Sequence, residues 1–189
     1  GIAVGTVSLP ALSKAFKIKD LSKVSNIQNK SIELSLLFSI PASVGLVIAA
    51  EEIVSALFGY GSFTIKDIKM TSMALMFFGY GVVAFALIKI LANFFFARNN
   101  TKTPFYISTF VVVLNILISV IFFNSLGFII IPIATSISTW VGIIVYIYLL
   151  NNDHILILQK KLYYNTSKIV ISSIIMFFVL ELSLEKYLS

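Results

Sequence analysis

Apolar residues run almost unbroken through five stretches of this chain, Ser31–Ala50, Thr71–Ala97, Pro104–Phe123, Leu126–Leu150 and Ser167–Leu184, and short basic or polar segments part them. Each stretch can supply the roughly 20 residues, at about 1.5 Å rise per residue, that a helix needs to cross the hydrocarbon core of a bilayer. In lipid every backbone amide must be paired within the structure, so runs of this length fold as helices unless they close into a barrel. A barrel strand reads as about ten residues alternating apolar and polar, and no such alternation is present. The shorter apolar stretch Gly1–Ser13 is predicted to be the end of a further helix, and the chain to be a fragment of a longer protein. Residues 1–189 are therefore expected to form a single all-α polytopic membrane domain with about five complete transmembrane helices plus one partial helix.

Composition changes this picture only by closing other doors. With 59% hydrophobic and 12% charged residues and a mean hydropathy of +1.01, the chain lacks the polar surface of a water-soluble domain. The net charge of +6 is carried in segments between apolar runs rather than on the face of a soluble fold, so nucleic acid is not an expected partner. There is no cysteine and one histidine, His154, so neither a thiolate site nor a histidine cluster is expected, and no metal or other cofactor is predicted from the residues.

Charge also orients the helices. Taking the apolar runs as successive crossings, one side carries Lys14, Lys17, Lys19, Lys23, Lys30, Arg98, Lys102, Lys160, Lys161 and Lys168, and the other only Lys66, Lys69 and Lys186. The positive-inside rule places the first side in the cytoplasm. Lys14–Lys30, with Leu21, Val24 and Ile27 on one side, is expected to form a short amphipathic helix lying on the membrane against lipid head groups, and Asn151–Thr166 is expected to lie at the interface as well. Glu33, close to a helix start, and Glu51, Glu52 and Glu181, near outer ends, read as boundary carboxylates.

Few residues within the runs could carry chemistry. Lys89 stands out: it lies nine residues before Arg98, roughly 13 Å deeper by helix rise, which a lysine stem recovers only in part. A cation at that depth costs several kcal/mol, so Lys89 either snorkels towards the interface or faces a cavity where it attracts anions. Asn115 and Ser119, with Thr135, Ser136, Ser138 and Thr139 in the next run, suit hydrogen bonds between helices. They would suit a hard cation only with added carboxylates or carbonyls, and neither helix has a carboxylate. Pro41 and Pro132 sit within spans, where proline can kink or break a helix into a hinge, while Gly79 and Gly81 allow close packing or bending. Asp153–His154 is the only acidic–histidine pair that a membrane enzyme could use, and it reads as a solvated loop.

Three segments resemble the C-terminal part of a known family: GIAVGTVSLPALS at Gly1–Ser13, IPASVGLVIAAEEIVSALFGYGSFTIKD at Ile40–Asp67 and YGVVAFALIKILANFFFARNNTKTP at Tyr80–Pro104. The most specific pieces are LFGYGSF at Leu57–Phe63 and the Phe95–Pro104 stretch ending ARNNTKTP, and beyond Pro104 the likeness is mainly one of helix spacing. They are similar to the MurJ/MviN family of lipid II flippases, within the MATE-like superfamily of multidrug, oligosaccharidyl-lipid and polysaccharide exporters. The resemblance implies the C-terminal lobe of a fourteen-helix transporter in the bacterial cytoplasmic (inner) membrane. Its substrate would be a polyprenyl-pyrophosphate-linked glycan, flipped from inner to outer leaflet by alternating access for cell-wall synthesis. The partners it implies are that substrate, membrane lipids and the N-terminal half of the same protein.

By the same resemblance Lys89 matches a family lysine, and Arg98 with Lys102 matches the basic turn after it, so these three are expected to supply electrostatics for substrate or gating. Asn115 and Thr135 fall where two ligands of a family sodium site would be, which implies coupling to Na⁺ or to the membrane potential, although Ser119 stands where an aspartate is expected. The rival readings are an exporter of another lipid-linked oligosaccharide or polysaccharide, a cation-coupled drug antiporter of the same superfamily, a polytopic membrane enzyme, and a structural subunit without transport.

Overall fold

A computed structural model describes residues 2–153 and 155–188, so His154 of the Asp153–His154 pair lies outside the described residues. Seven α-helices follow in order: α1 (Ile2–Lys17), α2 (Leu21–Ile48), α3 (Ala50–Phe58), α4 (Ile65–Phe96), α5 (Lys102–Leu126), α6 (Ile130–Asn152) and α7 (Lys160–Leu188). A single 3-10 turn, Gly127–Ile129, joins α5 to α6, and no strand occurs among the described residues. Four stretches are long and apolar enough to cross a membrane: Leu21–Ile48, Ile65–Phe96, Lys102–Asn152 and Lys160–Leu184. The third, 51 residues long, is two crossings, because the chain reverses at Gly127, whose φ of 60° favours glycine. The chain is thus a multi-pass membrane protein.

Local chemistry sets the boundaries. Lys19 turns the backbone with φ 56°, and the Asp20 side chain then accepts the Lys23 backbone N–H at 2.9 Å, capping α2. Thr64 and Asp67 form a reciprocal capping box at the start of α4. Between α4 and α5, Asn99 takes φ 60° and the Asn100 side chain accepts the Thr103 N–H at 3.1 Å.

These boundaries correct the expectation of a surface helix over Lys14–Lys30. Lys14 and Lys17 form the last turn of α1, residues 18–20 make a tight turn, and residues 21–30 are the first part of the long helix α2. The polar residues Ser25, Gln28 and Asn29 of this segment are buried against the α6–α7 connection. Nor does that connection form an interfacial helix: residues 155–159 carry no helix before α7 starts at Lys160. Glu33 is well inside α2 rather than close to its start, and its Oε1 accepts Asn165 Nδ2 of α7 at 2.9 Å.

Helix α4 is the hub, touching α1, α2, α3, α5 and α6, while α7 packs on α2. It runs parallel to α6, since Ser136 bonds Phe77 O and Phe95 stacks on Tyr146 further along both helices. The core lies towards the basic end, where Leu12, Val24, Ile90, Phe94, Phe95, Tyr146 and Leu150 are buried together. By contrast Val112, Val113, Ile116, Leu117, Val120 and Ile121 of α5 are exposed, as a helix wall facing lipid requires.

The predicted helix breaks do not appear. Pro41 lies inside an uninterrupted α2, and Pro132 is the third residue of α6, where a missing N–H removes no intrahelical bond. Gly79 and Gly81 are instead crossing points: Ser43 Oγ donates to Gly79 O at 2.7 Å. A Cβ on Gly79 would meet Val47 Cγ2 at 2.8 Å, and one on Gly81 would meet Ser136 Oγ at 2.6 Å.

Candidate functional site

Helix α4 carries Lys89 into a cavity of about 640 Å³ bounded by α1, α4, the start of α5 and Tyr146 of α6. Its lining pairs apolar groups (Leu9, Ile88, Ala92, Phe96, Pro104, Phe105) with polar ones (Lys89, Asn93, Thr101, Ser108). Gly5 lets α1 approach closely, and Asn93 Nδ2 donates to Gly5 O at 2.9 Å, tying α1 to α4 one turn beyond Lys89. A Cβ on Gly5 would lie 2.9 Å from that nitrogen. Lys89 is thus an exposed cation in the lining of a mostly apolar cavity, where it can attract an anion or hydrogen-bond its oxygens. Asn93 was not singled out from the sequence, although its spacing of four from Lys89 puts both on one helix face.

The other predicted cations do not join Lys89. Arg98 lines a separate cavity of about 330 Å³ with Lys19 and Asp153, beside Phe16, Val24 and Ile155. That cavity gathers the α1–α2 turn, the α4–α5 turn and the α6–α7 connection at one end of the bundle, so the basic segments share a face. Lys102, the first residue of α5, is exposed and lines neither cavity.

Asn115 and Thr135 do meet: Asn115 Nδ2 donates to Thr135 Oγ1 at 2.9 Å, and Thr135 Oγ1 donates to Ile131 O at 2.7 Å. Ser119 Oγ is buried one turn away without a hydrogen-bond partner. This neutral set joins α5 to α6, and neither helix contains a carboxylate. Among the described residues no group of three or more His, Cys, Asp or Glu side chains is placed to hold a metal ion.

Comparison with known proteins places this architecture. The family model described as lipid II flippase MurJ matches residues 1–188. The chain is 36% identical over 140 residues to the probable lipid II flippase MurJ of Rickettsia prowazekii (strain Madrid E), covering 74% of the chain and 28% of that protein. It is 32% identical over 177 residues to the probable lipid II flippase MurJ of Rhizobium tropici, covering 93% and 33%. The chain thus spans a third or less of the length of these relatives. Among solved structures it superposes on a lipid II flippase MurJ in an inward closed conformation with a TM-score of 0.80 at 31% identity, over 95% of this chain and 36% of that one. An inward-facing multidrug resistance MATE family transporter matches with a TM-score of 0.66 at 15% identity, over 93% and 43%, which shows a shared fold. The seven helices are accordingly part of the C-terminal lobe of a MATE-like transporter fold. The chain belongs to the lipid II flippase MurJ family.

Proposed function

We propose that this chain serves as part of a flippase that carries lipid II, a polyprenyl-pyrophosphate-linked glycan, from the inner to the outer leaflet of the bacterial cytoplasmic membrane for cell-wall synthesis. The observation that carries this reading is the family match over residues 1–188, on a fold shared with a MurJ structure at a TM-score of 0.80. Lys89 fits the task because an exposed cation lining a mostly apolar cavity can attract a pyrophosphate. The chain makes no covalent change in this scheme: it holds and releases the head group as two lobes rock in alternating access. The second lobe comes from the N-terminal half of the same protein. Arg98 and Lys102 act at the basic end, on the approach from the cytoplasm rather than beside Lys89.

Asn115 and Thr135 satisfy each other without a carboxylate, which favours the membrane potential over Na⁺ as the driving force. The test is complementation in cells depleted of their lipid II flippase, using the full-length gene with Lys89 native or replaced. The native gene is expected to rescue growth, and Lys89→Ala at equal expression to lose most of it, with Lys89→Arg intermediate. Failure of the native gene would move the assignment to an exporter of another lipid-linked glycan. Equal rescue by all forms would keep the function and remove Lys89 from the transport path.

A further inference from the structure

A second polar cleft, of about 370 Å³, lies between α2 and the beginning of α7, away from the Lys89 cavity. We propose that it binds the phosphodiester head group of an anionic membrane lipid. Two ammonium groups, Lys30 and Lys161, come to it from different helices, and one carboxylate, Glu33, lies beside them. The ionised side chains of the cleft therefore sum to a single positive charge, which a monoanionic phosphodiester neutralises and a zwitterionic head group does not.

The walls are already built. Asn165 Nδ2 holds Glu33 Oε1 at 2.9 Å, turning the carboxylate towards α7. Gln159 is fixed through its backbone N–H to Asn29 Oδ1 at 2.9 Å and through its side chain to Asn26 Oδ1 at 2.8 Å. The side-chain oxygens of Asn165 and Gln159 make no hydrogen bond that these contacts use, which leaves them to accept hydroxyl groups of a head group such as glycerol. A ligand entering the cleft orders two exposed lysines and little else, so the conformational cost of binding is small.

Position selects a lipid over a free ion. The cleft lies at the end of the bundle that gathers the basic connections, which the positive-inside rule sets at the cytoplasmic surface. Leu34, half-buried on α2, is the apolar residue at its edge, where acyl chains can leave towards the bilayer, while Leu162 is buried in the core. Its volume is in the usual range for a small-ligand pocket, about 300–1,000 Å³. The proposal stands independently of what the transporter carries.

The experiment counts bound lipid by native mass spectrometry on delipidated full-length protein in a non-ionic detergent. The titrants are dioleoylphosphatidylglycerol, dioleoylphosphatidylethanolamine and inorganic phosphate. Phosphatidylglycerol is expected to occupy one site more tightly than phosphatidylethanolamine, with millimolar phosphate failing to displace it. The double variant K30Q/K161Q is expected to weaken that binding by roughly 10- to 30-fold, the loss of two cations near a head group. K30R/K161R should restore most of it. K14Q/K17Q, which removes cations of the same end outside the cleft, should leave it unchanged. Equal binding of both lipids, displacement by phosphate alone, or an equal loss in K14Q/K17Q would each overturn the proposal. The native-protein titration decides even if a variant fails to fold.

Discussion

Asn29 and Gln159 are joined across 130 positions of the chain: the Asn29 side-chain oxygen accepts the Gln159 backbone N–H at 2.9 Å, much as a neighbouring strand would. Its Nδ2 donates to Ile157 O at 2.7 Å. One residue earlier Gln28 repeats the arrangement, donating to Ile155 O at 3.1 Å and accepting from Ile157 N at 3.4 Å. Two amide side chains thus pair Ile155 O, both backbone groups of Ile157 and the Gln159 N–H, while the N–H groups of Ile155 and Leu156 return to Leu150 O. The connection to α7 is held against α2, on which α7 itself packs.

Asn29→Leu should therefore cost about 1–3 kcal/mol of stability, since it strands the Gln159 N–H, while Ile157 O keeps the Ser25 hydroxyl. Asn29→Asp keeps the acceptor for Gln159 but sets a carboxylate oxygen against the Ser25 and Ile157 carbonyls at a buried site, so its loss should be at least as large. Thermal unfolding of the purified full-length protein in detergent orders the three forms. A leucine variant as stable as the native protein would show that water or lipid replaces the clamp.

What could be read in advance follows from the range of the forces involved. The bilayer demands long apolar runs and the positive-inside rule sorts the lysines, so the all-α membrane class and the basic end are written locally. Lys89 was visible because one cation in an apolar run is conspicuous, whereas its companion Asn93 matters only because Gly5 approaches from another helix. The same limit hid the clamp. Ser25, Gln28 and Asn29 have the composition of a solvated face, and their burial depends on a strap more than a hundred residues away. Pro41 and Pro132 misled for a different reason: proline in lipid is tolerated wherever neighbours satisfy the freed backbone, and at a helix start it frees nothing.

Gly79 sets how closely α2 and α4 approach, and two effects oppose each other there. Gly79→Ala gains about 1 kcal/mol of helix propensity, but its Cβ meets Val47 Cγ2 at 2.8 Å, and overpacking costs about 1–3 kcal/mol. The alanine variant should be neutral to mildly destabilised. Gly79→Leu has no room between Leu46 and Val47 and should lose most of the monodisperse protein on size-exclusion chromatography. A leucine variant that purifies like the native protein would mean that the two helices separate freely at this point.

The contact between Asn115 and Thr135 gives a test of ion coupling. Asn115→Leu and Thr135→Val each remove a hydrogen bond worth roughly 0.6–2 kcal/mol between membrane helices, a modest loss. If the pair is helix glue, rescue of flippase-depleted cells should persist when Na⁺ in the medium is replaced by K⁺, and should fall when the membrane potential is collapsed. Growth that requires Na⁺ with the native protein and loses that requirement in either variant would make the pair an ion site.

Orientation can be read directly because the chain has no cysteine, so single cysteines report on their own positions in a background cleared of any elsewhere in the protein. Ser62 is exposed in the connection between α3 and α4, and Lys160 is exposed at the start of α7 beside the proposed lipid cleft. The charge asymmetry places these two sites on opposite sides of the membrane. A membrane-impermeant maleimide added to intact cells, with the outer envelope opened, should label Ser62→Cys at once. It should reach Lys160→Cys only after the cytoplasmic membrane is permeabilised. The reverse pattern would invert the bundle, take the basic end out of the cytoplasm and remove the inner-leaflet source assumed for the lipid at Lys30 and Lys161. Labelling of both sites in intact cells would mean that Lys160 is reached from outside, against the single orientation that the charge asymmetry predicts.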